Sequence, residues 1–234
     1  MKDTVQSQSV VDIIGHQLRE DIISGRLLPG TQLVETDLAQ NYRASRNSIR
    51  EVLHLLVRDG LASSERFRGV FVRVFHENDL DDIYKARRTI QLSALHSTVD
   101  WPPVLLDEIE GIIIRARQAI ASERWQDVGT LSLAFHQALV SVLGSRLINE
   151  FFLNISAQLR LIFTIVPDER IVQEPRWVEW EASILDHLRN AAHDAAEAEL
   201  AAYLDESQEA LTRIVRTARQ RPPHGTRTHP FQAR

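Results

Sequence analysis

The sequence predicts a mostly α-helical protein in two parts: three helices with a small β-hairpin, then an antiparallel bundle of about six helices. Apolar residues recur at helical spacing along nearly all of the chain beyond residue 79. Two short runs with strand character, 61–64 and 70–74, lie in the first third. With 234 residues and 44% apolar composition, the chain can bury two modest cores, so we expect two domains.

The helix predicted after Ser45 has signals at both of its ends. Ser45 can cap its N-terminus, and Gly60 suits the position after its C-terminus. One face is an apolar stripe made of Ile49, Val52, Leu53, Leu56 and Val57. The arc beside this stripe carries the polar side chains Arg46, Asn47, Arg50 and His54. Arg can donate two hydrogen bonds to guanine and Asn can bond adenine, so the helix suits a DNA major groove. Taken alone, an ordinary surface helix would have the same pattern.

The segments on either side complete a winged helix-turn-helix. Residues 35–41 predict a short helix with acidic residues in its first turn, and a tight connection leads to the longer helix. Downstream, the strand-like runs 61–64 and 70–74 flank a basic turn at 65–69. This hairpin forms a wing that can reach a DNA backbone or a minor groove. We expect an earlier helix, Ser9 to Ser24, to pack against the reading helix.

The charge distribution separates the two parts of the chain. The formal net charge is −5, which by itself argues against a DNA-binding protein. Residues 43–73, however, hold seven Arg against three acidic residues, a net of +4. Residues 77–212 hold 11 basic and 23 acidic residues, a net of −12. The positive charge therefore lies on the predicted reading helix and wing, where DNA would bind.

Composition also excludes several classes of protein. The chain has no cysteine, which excludes disulfides, thiolate catalysis and Cys-based zinc sites and agrees with a reducing compartment. No apolar run approaches membrane-spanning length, and no signal segment opens the chain. We therefore expect a cytoplasmic protein without a membrane partner.

Short motifs in the first 75 residues resemble the GntR family of bacterial repressors. They are Gly25-x3-Pro29-Gly30, Leu38-Ala39, Ser45-Arg46-x3-Arg50-Glu51-x-Leu53, Asp59-Gly60-Leu61 and Arg68-Gly69-x2-Val72. Two positions depart from the family pattern: Val34 replaces a frequent capping Ser or Thr, and Asn47-Ser48 replaces a frequent Thr-Pro. The resemblance implies a transcription regulator, a repressor that binds a pseudo-palindromic double-stranded operator as a homodimer.

We expect the DNA-binding residues to divide by role. Those that contact base edges are Arg46, Asn47 and Arg50. Ser48 lies beside them, in the Asn47-Ser48 pair whose departure from the family pattern is expected to alter the base preference. Those that position the DNA backbone are Thr36, Arg43, Ser45, Arg66 and Arg68. Gly69 allows the wing to approach closely.

The rest of the chain predicts helices only. Residues 76–78 are expected to form a linker in which Asn78 caps the next helix. The first predicted helix starts at Leu80 and ends before Trp101, and the second ends near Ser122. The other four are predicted over Trp125–Leu143, Leu147–Ile165, Arg176–Ala191 and Asp194–Ala218. The domains are then a flexible N-terminus 1–8, a DNA-binding domain 9–75, the linker 76–78, a helical domain 79–218 and a disordered basic tail 219–234.

A winged unit followed by such a helical domain resembles the FadR branch of the GntR family, whose C-terminal ligand-sensing domain is called FCD. The resemblance implies an effector, often a carboxylate, and often a divalent metal held by an Asp and three His. Here Phe135-His136 matches the family's Phe-His, but the other metal-ligand positions hold Ser132, Glu181 and Tyr203. Two further candidates for binding an effector carboxylate are Arg87 and Arg160, because a guanidinium grips that group bidentately. For either Arg, an ion pair within the fold is the alternative role.

This donor set suits zinc or nickel poorly. Weak metal binding by His136 and Glu181 stays open, as does a core role for His136 with a hydrogen bond to Ser132 one turn earlier. Direct binding of a small polar effector by these side chains, with no certain cofactor, is the main hypothesis. The sequence also leaves open a helical-bundle metal enzyme that depends on His136 and a DNA-associated protein without an effector. The chain has none of the phosphate-loop, zinc-protease or serine-hydrolase motifs, so we expect no enzyme.

Overall fold

The computed structural model describes residues 9–98, 100–166 and 168–220, and in them the predicted fold class is confirmed. The chain divides into two compact units, with the boundary between Val74 and Phe75. The first contains three helices and a two-stranded sheet, and the second is all helical. Among the described residues, no helix is long and apolar enough to cross a membrane. The predicted N-terminus 1–8 and most of the predicted tail, 221–234, lie outside the described residues.

The first unit forms around the contact between its first and third helices. Its elements are α1 (Val10–Ile23), α2 (Glu35–Asn41), α3 (Arg46–Arg58), β1 (Ala62–Glu65) and β2 (Gly69–Val72). The core-facing side chains of α1 and α3 are those at helical spacing: Ile14, Leu18, Ile22, Ile49, Val52, Leu53 and Leu56. The strands pair antiparallel, with Ala62 opposite Val72 and Glu65 opposite Gly69.

The predicted helix caps of this unit are present. The Ser45 hydroxyl accepts a hydrogen bond from the Ser48 amide at 3.0 Å, which satisfies one of the amides that the first turn of α3 leaves unpaired. Gly60 follows the helix with φ 74°, a conformation that costs glycine little. Val34 precedes α2 without a side-chain cap.

The second unit is a bundle with α6 at its centre. Its helices are α4 (Glu77–Ser97), α5 (Pro103–Ala121), α6 (Trp125–Ser141), α7 (Arg146–Phe163), α8 (Pro175–Arg189) and α9 (His193–Gln220), with a short 3₁₀ helix at Glu169–Ile171. Helix α6 packs against α4, α5, α7 and α8. It is buried on several faces, so its polar side chains must find partners inside the bundle.

Several predicted boundaries were wrong. Helix α4 begins at Glu77 after His76, not after Asn78, so most of the predicted linker 76–78 is helical. The reason is Asp79, whose carboxylate accepts a hydrogen bond from the His76 amide at 2.8 Å and so allows an earlier start. At the other end, α9 continues to Gln220, so residues 219 and 220 of the predicted tail are helical.

Candidate functional site

The exposed side of α3 presents the polar residues that the sequence singled out. Arg46, Asn47 and Arg50 are exposed at its N-terminal end, while Ile49 on the opposite side is fully buried. Arg50 forms a forked ion pair with Glu35 of α2, with N–O distances of 2.9 and 3.3 Å. The hydrogen bond with Glu35 raises the pKa of Arg50, and the same bond lowers the pKa of Glu35. Glu35, which sequence reasoning missed, therefore orients the Arg50 side chain.

The other predicted DNA-positioning residues of the helix-turn-helix take local roles as well. The hydroxyls of Ser45 and Ser48 bond to each other at 2.8 Å. The Thr36 hydroxyl donates to Asp37 at 3.1 Å. Arg43 is exposed in the turn between α2 and α3, where its φ is 48°. These side chains lie beside the N-terminal end of α3.

The wing is held in place by a glutamine that the sequence did not reveal. The side-chain amide of Gln32 donates to the Arg68 carbonyl at 2.8 Å, and the Gln32 backbone forms a β-bridge with Phe71. Gly69 has φ 104°, and a Cβ there would lie 3.3 Å from Gln32 Nε2, so a side chain would crowd this contact. Arg66 and Arg68 are exposed at the tip, where Arg68 pairs with Glu65.

The second unit contains a cavity between α4, α6, α8 and α9. Five of the six predicted effector residues lie at or directly behind it. Those that line it are Arg87, Ser132, His136 and Tyr203, together with Tyr84, Leu133, Phe163, Val172, Gln173, Trp177, Ser207, Ala210, Leu211 and Ile214. The volume open to the centre of a water molecule is about 30 Å³, enough for a few waters at most.

A buried hydroxyl–carboxylate cluster forms one wall. The Ser132 hydroxyl bonds to Glu181 Oε1 at 2.5 Å, and the Tyr203 hydroxyl donates to the same oxygen at 3.2 Å. Burial raises the pKa of Glu181 to about 7, although these two hydrogen bonds oppose the rise. Burial and the neighbouring Glu181 charge raise the pKa of the Tyr203 phenol. At neutral pH the phenol is therefore protonated and Glu181 is partly ionised.

His136 bonds to helix α4, not to Ser132. Its Nδ1 lies 2.6 Å from Gln91 Oε1, so the alternative in which His136 bonds to Ser132 does not hold. The two side chains share a helix face, but Ser132 reaches α8 and α9 while His136 turns toward α4. Burial and the nearby Arg87 charge lower the pKa of His136 well below its ordinary value. The ring is neutral, so Nδ1 donates to Gln91 and Nε2 is left as an acceptor.

Several buried polar atoms around the cavity have no hydrogen-bond partner within the described chain. Three belong to residues that line it: Arg87 Nε, His136 Nε2 and Gln173 Nε2. Two more, Gln91 Nε2 and Glu181 Oε2, belong to residues directly behind the lining. A buried polar group without a partner costs about 1–3 kcal/mol, so these atoms call for water molecules or a polar ligand in the cavity.

Gln173 is a polar cavity residue that sequence reasoning missed. It lies in the segment between the 3₁₀ helix and α8, where its amide donates to the Glu169 carbonyl at 2.8 Å. Its side chain is 3% exposed and packs on Gly129 of α6. A Cβ on Gly129 would lie 2.8 Å from Gln173 Nε2, closer than real contacts allow. A glycine within an apolar helix was the available signal.

Arg160, the sixth predicted effector residue, lies elsewhere. It forms a forked ion pair with Glu169, with two N–O distances of 3.0 Å, and the two side chains are 6% and 7% exposed. Arg160 does not line the cavity. Its guanidinium instead anchors the segment that delivers Gln173, which is the ion-pair role left open by the sequence.

The donor set does not fit a divalent metal. Within the described chain, no three His, Cys, Asp or Glu side chains are grouped as metal ligands. The predicted pair His136 and Glu181 is supplemented only by a hydroxyl and a protonated phenol, which are poor ligands for zinc. His136 Nδ1 is also occupied by Gln91. The cavity is therefore better suited to direct hydrogen bonding.

Comparison with known proteins agrees with both units. The family described as "Bacterial regulatory proteins, gntR family" matches residues 11–72, and the FCD domain matches residues 82–206. The chain is 31% identical over 138 residues to the uncharacterized HTH-type transcriptional regulator YdhC of Bacillus subtilis, a match covering 56% of this chain and 59% of that protein. The matched segment thus spans about three fifths of that relative.

Two longer matches cover nearly the whole of their proteins. The galactonate operon transcriptional repressor of Escherichia coli is 24% identical over 224 residues, with 87% of this chain and 93% of that protein covered. The crystal structure of a putative transcriptional regulator GntR from Rhodococcus sp. RHA1 has a TM-score of 0.78 and 29% identity, and covers 87% of this chain and 98% of that one.

Proposed function

Because the chain belongs to the GntR family of bacterial regulatory proteins and carries an FCD domain, we propose that it is a transcriptional repressor controlled by a small hydroxylated carboxylate. In this proposal it is of the FadR branch and acts in the cytoplasm. Residues 9–75 bind a pseudo-palindromic operator. Residues 79–218 bind the effector and join two copies into a homodimer.

The DNA-binding role rests on the first unit. Its net positive charge lies on and around α3 and the wing, and the bases are read by the exposed side chains of Arg46, Asn47 and Arg50. Ser48 lies beside these readers. The DNA backbone is positioned by Thr36, Arg43, Ser45, Arg66 and Arg68, with Gly69 allowing close approach of the wing.

The effector's charge is inferred from Arg87. This guanidinium is 3% exposed and has an unpartnered Nε, while its carbon lies 4.9 Å from the centroid of the Tyr84 ring. The nearby carboxylate is Glu181, whose pKa the Arg87 charge lowers, but burial raises that pKa to about 7, so Glu181 is only partly ionised at neutral pH. A buried cation that is not fully neutralised favours an anionic ligand. The single observation that carries the proposal is this cation in one cavity with the unpartnered atoms of His136 and Gln173.

The effector's hydroxyl is inferred from His136. Arg87 Nε and Gln173 Nε2 are donors and suit carboxylate oxygens, but His136 Nε2 is an acceptor and needs a donor on the ligand. A hydroxy acid supplies both kinds of group, whereas a simple fatty acid supplies only acceptors. A relative named for the operon of a sugar acid, galactonate, supports this ligand class. Ser132, Glu181 and Tyr203 form the polar wall against which the ligand's hydroxyls would rest.

The mechanism that follows is a shift between conformations of the effector domain. A ligand that binds one arrangement of the helices more tightly favours that arrangement. Operator affinity then changes because the two DNA-binding units of the dimer are held differently.

The test is a thermal-shift screen of the purified chain with galactonate, gluconate and lactate, each with and without EDTA. A ligand present at 100 times its dissociation constant stabilises the folded state by about 2.7 kcal/mol. We expect a hydroxy acid to raise the melting temperature equally with and without EDTA, and to change operator affinity. Hexanoate serves as the carboxylate that has no hydroxyl.

Variants make the test specific to the cavity. Arg87→Met and Gln173→Ala should abolish the ligand-induced shift. Arg117→Met removes an exposed Arg on α5 that pairs with Glu179, and should leave the shift intact. A shift that disappears in EDTA, or one that survives Arg87→Met, would contradict direct binding in this cavity.

A further inference from the structure

The tip of the wing carries an aromatic side chain that the fold does not use. Phe67 is 93% exposed, the largest exposed fraction of any large apolar side chain in the described part of the chain. It lies between β1 and β2 in a turn closed by the Arg68 amide, which donates to the Glu65 carbonyl at 3.0 Å. Unlike Arg66, Arg68 and Gly69, it has no part in the DNA contacts proposed for the wing.

The backbone at Phe67 is costly for a residue with a side chain. Its φ is 62°, in the left-handed region, which the third residue of such a turn usually reaches as glycine or asparagine. That conformation is unfavourable for a residue with a Cβ. Burial does not compensate, because the ring is almost fully exposed. Glycine would be the more stable residue for folding alone.

Phe67 is also rigidly presented and flanked by positive charge. The side-chain amide of Gln32 donates a hydrogen bond to the Arg68 carbonyl at 2.8 Å, which connects the tip to the extended segment beside β2. The Arg66 guanidinium carbon lies 4.8 Å from the centroid of the Phe67 ring. Arg68 is the next residue in the chain; its exposed guanidinium pairs with Glu65, and its carbon lies 5.3 Å from the centroid of the Phe71 ring. An exposed apolar ring with exposed Arg residues beside it suits double-stranded DNA, which has charged phosphates outside and apolar base faces inside.

We infer that Phe67 inserts between neighbouring base pairs from the minor groove, while Arg66 and Arg68 contact the phosphates on either side. Minor-groove proteins use Phe as such a wedge, which partly unstacks one base step and bends the duplex. The occupant is double-stranded DNA because the wing belongs to the same compact unit as the exposed α3 readers. Base steps that unstack easily, such as TA and CA, are then favoured at positions that α3 does not read.

The experiment uses the full chain and a duplex selected from a random-sequence pool by the wild-type protein. A 2-aminopurine is placed in turn at each step of the footprint, and dyes at the two ends report bending by energy transfer. With the wild type, we expect the 2-aminopurine fluorescence to rise at one step beneath the wing and the ends to approach each other. Base–aromatic stacking of ordinary strength corresponds to a loss of roughly tenfold in affinity for Phe67→Ala.

Phe67→Gly separates the DNA role from folding. It removes the ring and relieves the strained backbone, so the first unit should melt at a higher temperature while the fluorescence rise and the bend are lost. Phe67→Leu keeps an apolar wedge and should retain part of both signals. Val104→Ala, which removes a side chain that is 78% exposed in the helical unit, should behave as the wild type.

Two results would overturn the inference. One is unchanged affinity and bending in Phe67→Ala, and the other is a wild-type complex in which no position of the footprint shows unstacking. The inference depends on DNA binding by the first unit. If the wild type selects no duplex, that function fails; if it does and Phe67→Ala binds equally, only the wedge fails.

Discussion

Replacing Arg160 tests whether the Arg160–Glu169 pair has a structural role. Both side chains are nearly fully buried and joined by two N–O distances of 3.0 Å. Arg160→Met leaves the Glu169 carboxylate buried without its partner, which typically costs about 3–5 kcal/mol. For a chain of this size, each kcal/mol lowers the melting temperature by about 2–4 °C. We therefore expect the helical unit to melt on the order of 10 °C lower.

The double variant Arg160→Met/Glu169→Leu separates charge from packing. Apolar residues of similar volume often replace a buried ion pair at no cost, so the double variant should recover most of the lost stability. The matched control is Arg117–Glu179, an equally forked pair with N–O distances of 3.0 and 2.6 Å whose side chains are 48% and 60% exposed. Arg117→Met should cost about 1 kcal/mol or less.

The assay is urea and thermal unfolding of the full chain, followed by circular dichroism so that the transition of the helical unit is resolved. A cost below about 1 kcal/mol for Arg160→Met would refute the reasoning, since the pair would then behave as a surface pair. A double variant as unstable as Arg160→Met would also refute it, because the loss would then come from packing and not from the unpaired charge.

The cavity and the reading helix can be tested by three more perturbations. The pKa of Glu181 is about 7 in the folded state and 4.5 in the unfolded state, so the folded state binds more protons. The free energy of unfolding therefore falls as the pH rises from about 4.5 to 7. Glu181→Gln should remove about 3 kcal/mol of this dependence, measured by melts at a series of pH values. Gly129→Ala should displace Gln173, since its Cβ would lie 2.8 Å from Nε2, and so weaken the effector-induced thermal shift without preventing folding. Arg46→Ala or Arg50→Ala should cost roughly 1–3 kcal/mol of discrimination between the operator and other DNA sequences, measured by titration. Unchanged operator affinity in both variants would contradict base reading by α3.

The helices were predictable because their signals are local. Ser45 and Gly60 define the ends of α3 through capping and a left-handed turn, and the apolar stripe defines its buried face. The exposure of Arg46 follows from that periodicity alone. The start of α4 was missed because Asn78 is a good capping residue by type, whereas the helix begins after His76, whose amide donates to the Asp79 carboxylate.

The cavity was predictable only in part, because hydrogen-bond partners depend on helices that are distant in sequence. The family resemblance placed Ser132 and Glu181 together, and they do bond. No local pattern distinguishes Arg87, which faces the cavity, from Arg160, which faces Glu169. Both are buried Arg residues on helices, and their roles differ only in what lies opposite. Gln173 was missed because it is in an irregular segment with no periodicity.

The small cavity constrains how the proposed effector acts. At about 30 Å³ it is roughly ten times smaller than ordinary ligand pockets, so a hydroxy acid must bind a wider arrangement. Helix α6 is packed by four neighbouring helices and resists displacement, whereas Gln173 belongs to a short segment attached through Glu169. We therefore expect the cavity to open at that segment. If only the open fraction binds, the apparent dissociation constant is the intrinsic value divided by that fraction. In this proposal the Arg160–Glu169 pair therefore contributes both to the stability of the bundle and to its sensitivity to the effector.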